Sequence, residues 1–184
     1  QVAVGTAAEV DAFASAMRRT PRAEQFEPAT WFMIQLGRAH SALELHEARE
    51  AAQAAGRALA AYHARYDVFL CPTVAQPAVE IGKHAQSRAE LFGLALLRKL
   101  PIGAALRAIV AQLAADALEL TPNTQLFNQT GQPAISLPLA MGRDGLPIGV
   151  QLAAAFGRED LLIRVASQLE AAEPWHENRP PISA

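Results

Sequence analysis

Cysteine and lysine are both scarce in this sequence of 184 residues, which contains one cysteine, Cys71, and two lysines, Lys83 and Lys99. A lone thiol cannot form a disulfide within the chain, so we expect a reducing, cytoplasmic compartment. No apolar run approaches the roughly 20 residues that a membrane-spanning helix needs, and no basic-then-apolar leader opens the sequence. The formal net charge is −2 and the arginines are scattered, so we expect neither a nucleic-acid partner nor a membrane partner.

The composition is that of a folded protein. Hydrophobic residues make up 51% of the chain and charged residues 18%, which is typical of a globular chain and not of a disordered one. A chain of this length suits one domain or a large piece of a bigger one. The sequence begins at Gln1 without a methionine and enters a helical pattern at once, so we expect a truncated chain that was cut or processed upstream.

Apolar periodicity and turn residues predict a chain in which helices and strands are mixed. Six helices are predicted, at about 7–19, from Pro28 onward, and at 42–65, 87–99, 101–118 and 160–172. Three of them begin with the spacing of a capping box, in which a hydroxyl and a carboxylate satisfy free backbone amides: Thr6 with Glu9, Ser41 with Glu44, and Ser87 with Glu90. Three strands are predicted, at 66–72, 134–140 and 147–154, with a turn at 142–145 that joins the last two as a hairpin. The mixture predicts an α/β core.

No residue stands out as a nucleophile accompanied by its base. None of the six serines lies in a Gly-x-Ser-x-Gly elbow or a Gly-Gly-Ser-Ser turn: Ser15, Ser41, Ser87, Ser136, Ser167 and Ser183. Cys71 ends an apolar strand before a proline, a setting in which a thiol is usually core, less often a pocket wall, and rarely a nucleophile. The five histidines show no His-x-x-x-His or His-x-Cys spacing, which argues against a metal site.

The most specific feature of the sequence is the stretch 127–138, Phe-Asn-Gln-Thr-Gly-Gln-Pro-Ala-Ile-Ser-Leu-Pro, which leads into Gly-Leu-Pro-Ile-Gly-Val-Gln-Leu at 145–152. It follows a Tyr-Asp-Val-Phe-Leu-Cys-Pro-Thr segment at 66–73 and precedes an amphipathic helix at 161–170 and a proline-rich tail at 174–181. These motifs, in this order, resemble the C-terminal half of the amidase signature family of serine hydrolases. The resemblance covers about residues 28–181. Within the family it points to the amidases that include 6-aminohexanoate cyclic-dimer hydrolase.

The resemblance implies hydrolysis of carboxamide bonds in small molecules through an acyl-enzyme, without a metal or organic cofactor. In the family a nucleophilic serine is activated through a second serine and a lysine, and all three lie in a segment upstream of the part that this chain resembles. Lys83 and Lys99 do not match the setting of that lysine. We therefore expect no catalytic residue in this chain, and no activity of the chain alone.

A supporting role is what the resemblance implies for the residues around 127–131. In the family this segment packs beside the active site and shapes the acyl pocket, so the candidate pocket residues are Phe127, Asn128, Thr130, Gly131 and, from the 66–73 segment, Cys71. Their types also suit a turn, which is the more economical interpretation: Asn and Thr side chains hold a loop, and glycine permits a positive φ. Phe127 is the candidate for a pocket wall.

The implied fold is the C-terminal part of the amidase-signature fold, with a mixed sheet flanked by helices and a helix-rich N-terminal two thirds. Residues 1–184 form one portion of a single domain, in which 83–120 is a variable helical insert near the substrate entrance. Three short strands leave sheet edges unpaired, so we expect a homo-oligomer or association with the catalytic portion. The alternative is a noncatalytic binding or assembly module derived from a hydrolase. An independent hydrolase that uses Cys71 or Ser136 is the least favoured hypothesis.

Overall fold

A computed structural model describes residues 1–82 and 121–178 of the chain. The helices in these ranges are α1 (Val2–Ala16), α2 (Pro28–Ala39), α3 (Ala42–His63), α4 (Pro122–Thr130) and α5 (Glu159–Ala172), and the strands are β1 (Val68–Pro72), β2 (Ala134–Met141) and β3 (Pro147–Ala154). Single 3₁₀ turns lie at Ala23–Gln25 and Trp175–Glu177. The α/β class is confirmed. The insert 83–120 and the two helices predicted in it lie outside the described residues.

Among the described residues, Gln1–Ala51 with Ile81 and Gly82 belong to one compact unit, and Ala52–Glu80 with 121–178 belong to a second. In the first unit α1 packs against α2, and Gly37 permits their close approach because a Cβ there would lie 2.8 Å from the Cβ of Ala7. Trp31 and Ile34 of α2 are buried in this contact. No helix of the described ranges is long and apolar enough to cross a membrane.

The N-terminus of α1 differs from the sequence prediction. Thr6 does not cap the helix; it lies inside it, and its Oγ1 donates to the carbonyl of Val2 at 3.1 Å. The helix begins five residues earlier than predicted, at Val2 instead of position 7. The reason is tertiary: Ala3 and Ala7 are buried against α2, so packing extends the helix beyond the local capping signal.

The start of α3 agrees with its predicted capping box. The amide of Glu44 donates to Ser41 Oγ at 3.2 Å, and the amide of Ser41 donates to Glu44 Oε2 at 2.6 Å. Both bonds satisfy donors that a helix N-terminus leaves free. Ser41 is thereby accounted for as a structural residue.

The three described strands form one antiparallel sheet in the order β1-β3-β2. The predicted hairpin between β2 and β3 is confirmed, with Gly145 at φ +77° in its turn and its amide donating to the carbonyl of Gly142 at 3.0 Å. The register of the β2–β3 pair shifts between Leu137 and Ala140, where Pro138 has no amide to donate.

The two faces of this sheet carry separate hydrophobic clusters. Because residues opposite one another on paired strands share a face, the pairs Cys71–Gln151 and Phe69–Ala153 define one face and Leu70–Leu152 the other. The first face is covered by α3 and α4 through Leu59 and Phe127. The second is covered by α5 through Leu162, packed on Leu137, Leu152 and Ala154. Phe127 and Cys71, two of the residues suggested by the family resemblance, belong to the cluster on the first face, called here the α4 face.

Candidate functional site

Phe127 and Cys71, two of the predicted supporting residues, lie together on the α4 face. Phe127 is 3% exposed and Cys71 8% exposed, and they share a cluster with Leu59 of α3 and Ala153 of β3. The rings of Phe127 and Phe69 have centroids 5.5 Å apart at 61°, an edge-to-face arrangement that adds to area burial. Phe127 is thus a core residue of the described chain. Its role as a pocket wall stays a prediction.

Cys71 lies in an apolar cluster and is hydrogen-bonded to one side chain of the described residues, Gln151. The Nε2 of Gln151 donates to Cys71 Sγ at 3.5 Å. Burial raises the pKa of the Cys71 thiol above its ordinary value, and the hydrogen bond from Gln151 lowers it by a smaller amount. Because the thiolate is the nucleophilic form, this environment suits a packing residue and opposes a nucleophile.

The raised pKa of Cys71 predicts a pH dependence of stability. The folded chain holds the thiol proton more tightly than the unfolded chain, so the protonated thiol contributes to the free energy of unfolding. This contribution is complete below the ordinary thiol pKa of 9.0 and is lost as the pH rises through the pKa of the folded state. Urea unfolding between pH 7 and pH 10.5 is expected to show a steeper loss of unfolding free energy above about pH 9 in the native chain than in Cys71→Ala. Identical slopes in the two proteins would contradict the expectation.

The predicted loop around Asn128 and Thr130 is wrong, because both residues lie in α4. The helix forms with Pro122 in its first turn, where a missing amide is harmless, and it buries Phe127 against the sheet. Asn128 is exposed. Thr130 is half-buried, and its hydroxyl oxygen lies 2.9 Å from the carbonyl oxygen of Leu126.

Gly131 ends this helix, and here the sequence prediction of a positive φ agrees with the structure. Its φ is +81°, and its amide donates to the carbonyl of Phe127 at 2.7 Å, as in an αL helix cap. The buried Gln132 follows at once, with its Oε1 accepting from the Thr130 hydroxyl. The interpretation of this segment as a turn is therefore correct for Gly131, which caps the helix. It is wrong for Thr130, which is the last residue of α4.

A pair of hydroxyl groups lies on the same face, and the sequence did not single it out as a pair. Thr73 Oγ1 and Ser136 Oγ are 2.6 Å apart, although the residues are 63 positions apart in the chain. They meet over Gly149 of β3, where an added Cβ would lie 2.8 Å from both oxygens. Glycine at position 149 is what makes room for the pair.

Two side-chain amides form hydrogen bonds close in sequence to Thr73 and on the neighbouring strand β3. Asn123 of α4 donates through Nδ2 to the carbonyl of Pro72 at 2.8 Å, next to Thr73. Gln151, which is buried, directs its Nε2 also toward the carbonyl of Asn123 at 3.5 Å. The end of β1, the central strand β3 and the start of α4 are thus joined by side-chain hydrogen bonds.

The alternation of side chains along a strand could have predicted that Ser136, Gly149 and Gln151 lie on one face of the sheet. Position 149 lies two before Gln151 on β3, so both fall on one face, and the pairing of Ser136 with Gln151 adds β2 to that face. The pairing itself was not readable, because register depends on the hairpin geometry and on β1, which arrives from a distant part of the sequence.

Comparison with known proteins gives consistent matches. The model of the family described as Amidase matches residues 2–163. The chain is 42% identical over 126 residues to 6-aminohexanoate-cyclic-dimer hydrolase of Pseudomonas sp. (strain NK87), which covers 68% of this chain and 23% of that protein. It is 36% identical over 124 residues to putative amidase AmiC of Mycobacterium leprae (strain TN), covering 65% of this chain and 21% of the relative.

A solved structure of 6-aminohexanoate cyclic dimer hydrolase complexed with substrate is also similar. It superposes with a TM-score of 0.70 at 31% identity, covering 97% of this chain and 34% of that chain. The chain therefore spans about a quarter of the curated relatives that it matches and a third of the solved structure.

Proposed function

We propose, since this chain belongs to the amidase signature family, that it forms the C-terminal portion of an enzyme that hydrolyses carboxamide bonds of small molecules through an acyl-enzyme. The observation that carries the proposal is the similarity to 6-aminohexanoate-cyclic-dimer hydrolase, which extends over 68% of this chain at 42% identity. Solved structures of that hydrolase also share the fold over 97% of the chain. The substrate class proposed is a small-molecule amide.

The catalytic serines and lysine are proposed to come from the portion of the enzyme that this chain does not contain. The serines of the described ranges support this division. Ser41 is engaged as a helix cap, Ser15 and Ser167 are exposed on helices, and Ser136 is hydrogen-bonded to another hydroxyl, that of Thr73. In residues 1–82 and 121–178, which contain no lysine, none of these serines has a histidine as hydrogen-bond partner.

We propose that this chain supports the acyl pocket and supplies no catalytic residue. Phe127 and Cys71 belong to one buried cluster with Leu59 of α3 and Ala153 of β3, and α4 ends at Thr130 with Gly131 as its C-cap. In the whole enzyme we propose that the segment 127–133 and Asn128, which is exposed, contribute to the wall of the acyl pocket. The single thiol of the chain supports the further proposal of a reducing, cytoplasmic location.

Association with the catalytic portion is proposed because surface apolar groups and strand edges need cover. Of the described strands, β1 and β2 each pair only with β3, so within residues 1–82 and 121–178 each has an unpaired edge. Several large apolar side chains are mostly exposed in the described ranges: Val2, Phe13, Leu43, Leu70, Phe156 and Ile163. A noncatalytic module that self-associates through the same edges is the second candidate. Analytical ultracentrifugation that shows a monomer at high protein concentration would remove it.

The purified 184-residue chain is expected to hydrolyse neither 6-aminohexanoate cyclic dimer nor a simple anilide above the buffer rate, because we propose that the nucleophile and its base lie in the other portion of the enzyme. Product release followed by chromatography measures this. A matched preparation of Ser136→Ala combined with Cys71→Ala controls for the two candidate nucleophiles. If a homogeneous native preparation hydrolyses either amide and the double variant does not, the proposal that the catalytic residues lie outside this chain is overturned.

A further inference from the structure

The end of α1 and the 3₁₀ turn after it line an apolar cavity in the first unit. The cavity has a volume of about 360 Å³, and small-molecule sites in proteins measure roughly 300–1,000 Å³. Its walls are mainly apolar side chains: Val10, Phe13, Ala14, Met17, Pro21 and Phe26. Phe13 is 69% exposed and Met17 is 49% exposed, so two large apolar side chains are accessible to a ligand at this cavity.

A second cavity, of about 400 Å³, adjoins the first and is lined by arginine side chains. Arg18, Arg19 and Arg22 line it, together with Thr20 and Gln25. Arg19, Thr20 and Gln25 also line the apolar cavity. Because the two cavities share this wall, one molecule can contact apolar side chains at one end and guanidinium groups at the other.

The arginines of the second cavity have no carboxylate partner in the described ranges. Arg38 of the same unit pairs with Asp11, whereas none of these arginines is ion-paired to a residue of 1–82 or 121–178. A carboxylate does line the apolar cavity, that of Glu9. Glu9 lies about 12 Å from Met17 along α1, at a rise of 1.5 Å per residue. An anionic group is therefore attracted at the arginine end and repelled at the Glu9 end.

Arg18 has a backbone conformation in which glycine is the usual residue. Its φ is +53°. The amide of Arg18 donates to the carbonyl of Ser15 at 2.9 Å, and the amide of Arg19 donates to the carbonyl of Ala14 at 2.8 Å. This pair of bonds ends a helix in the Schellman arrangement, which glycine forms with less strain. Capping therefore does not explain an arginine at position 18, and strained backbone of this kind is concentrated at ligand sites.

We propose that the two cavities together bind an amphiphilic anion, a small molecule with an apolar chain and a carboxylate or phosphate head group. Arg18, Arg19 and Arg22 bind the head group, because guanidinium groups form bidentate hydrogen bonds with oxyanions. The apolar chain lies against Phe13 and Met17. The concave wall favours a single molecule over the surface of a lipid bilayer. The site draws on residues of the first unit alone, and the proposal does not rest on the proposed function.

The test is isothermal titration calorimetry of the 184-residue chain with octanoate, octyl phosphate, octan-1-ol and acetate, each below its micelle-forming concentration. Octanoate or octyl phosphate is expected to bind with one molecule per chain, and the tighter of the two identifies the head group. Octan-1-ol keeps the chain without the charge, and acetate keeps the charge without the chain. Each is expected to bind at least about tenfold more weakly, because it loses charged hydrogen bonds or apolar burial.

Three results overturn the proposal. If neither octyl anion binds, the cavities are not a site for this class of ligand. If octan-1-ol binds as tightly as the anions, the arginines take no part. If the chain binds phosphatidylglycerol vesicles but neither monomeric octyl anion, the surface is a membrane contact.

Arg18→Gly separates ligand binding from helix capping. An arginine near a helix C-terminus also interacts favourably with the helix dipole, but glycine at position 18 forms the left-handed cap with less strain. This variant is expected to keep the stability of the chain and to weaken binding of the octyl anion about tenfold or more, the effect of a charged hydrogen bond. Arg49→Gln, which changes an exposed arginine of α3 in the same unit, is the control and is expected to keep the native affinity.

Ala14→Leu tests the apolar cavity separately. The larger side chain occupies part of the space that Ala14 lines, and it is expected to weaken binding of the octyl anion without changing the charge of the site. Circular dichroism verifies folding, and Arg22→Gln replaces Arg18→Gly if that variant does not fold. The proposal is overturned if the arginine variant binds as tightly as the native chain, or if Arg49→Gln loses as much affinity.

Discussion

Replacing Phe127 by alanine is expected to lower the free energy of unfolding of the chain by about 3–5 kcal/mol. The ring is 3% exposed and lies between Leu59, Cys71 and Ala153, with Phe69 packed at its edge. Truncation removes the transfer free energy of the ring and leaves a cavity between α4 and the sheet, which rigid strands cannot close. Urea unfolding followed by circular dichroism measures the loss.

Phe156→Ala is the matched control, because this phenylalanine of the same unit is 62% exposed. It is expected to change the unfolding free energy by about 0.5 kcal/mol or less. Phe127→Leu, which refills most of the volume, is expected to cost about 1.5 kcal/mol or less. If Phe127→Ala were as mild as the control, the α4 face would not be a core, and the support proposed for the segment 127–133 would fail with it.

Gly37→Ala is expected to destabilise the first unit by about 2 kcal/mol, although alanine favours helix by roughly 1 kcal/mol over glycine. The added Cβ would overlap the carbonyl oxygen of Ala3 and lie 2.6 Å from the carbonyl carbon of Ala3 and 2.8 Å from the Cβ of Ala7. Because the obstacle is the backbone of α1 and not a flexible side chain, one helix must move away from the other. Native-state hydrogen exchange at the α1 and α2 amides reports this locally.

Gly5→Ala, on α1 itself, is the control for helix propensity. A Cβ at Gly5 meets no atom within 4 Å, so this variant is expected to be more stable by roughly 0.4–1 kcal/mol. The opposite signs of the two substitutions are the decisive observation. If Gly37→Ala also slowed exchange in α1, the close contact between the helices would be refuted.

Local sequence signals were sufficient for much of the fold. The Ser41–Glu44 capping box started α3 where predicted, and Pro28 started α2. The glycine-containing turn at 142–145 joined two strands whose predicted bounds match β3 and fall one residue short of β2. Each of these depends on interactions between residues a few positions apart, which is why the sequence alone could specify them.

The errors arose where a distant contact decided the outcome. Thr6 carried the capping signal, but contacts with Gly37 brought α1 to begin at Val2. Asn128 and Thr130 have low helix propensity, yet the burial of Phe127 on the sheet makes their segment helical. In both places tertiary packing outweighed a local preference worth about 1 kcal/mol.

The sequence by itself determined the family, the α/β class and the hairpin, because ordered motifs and short-range patterns carry that information. Only the tertiary structure decided that Phe127 and Cys71 share one buried cluster, and that the hydroxyls of Thr73 and Ser136 meet over Gly149. The physical reason is strand register. Alternation assigns each residue to a face of its own strand, but which residues become neighbours depends on how β1, β2 and β3 pair, and that pairing joins segments far apart in the chain.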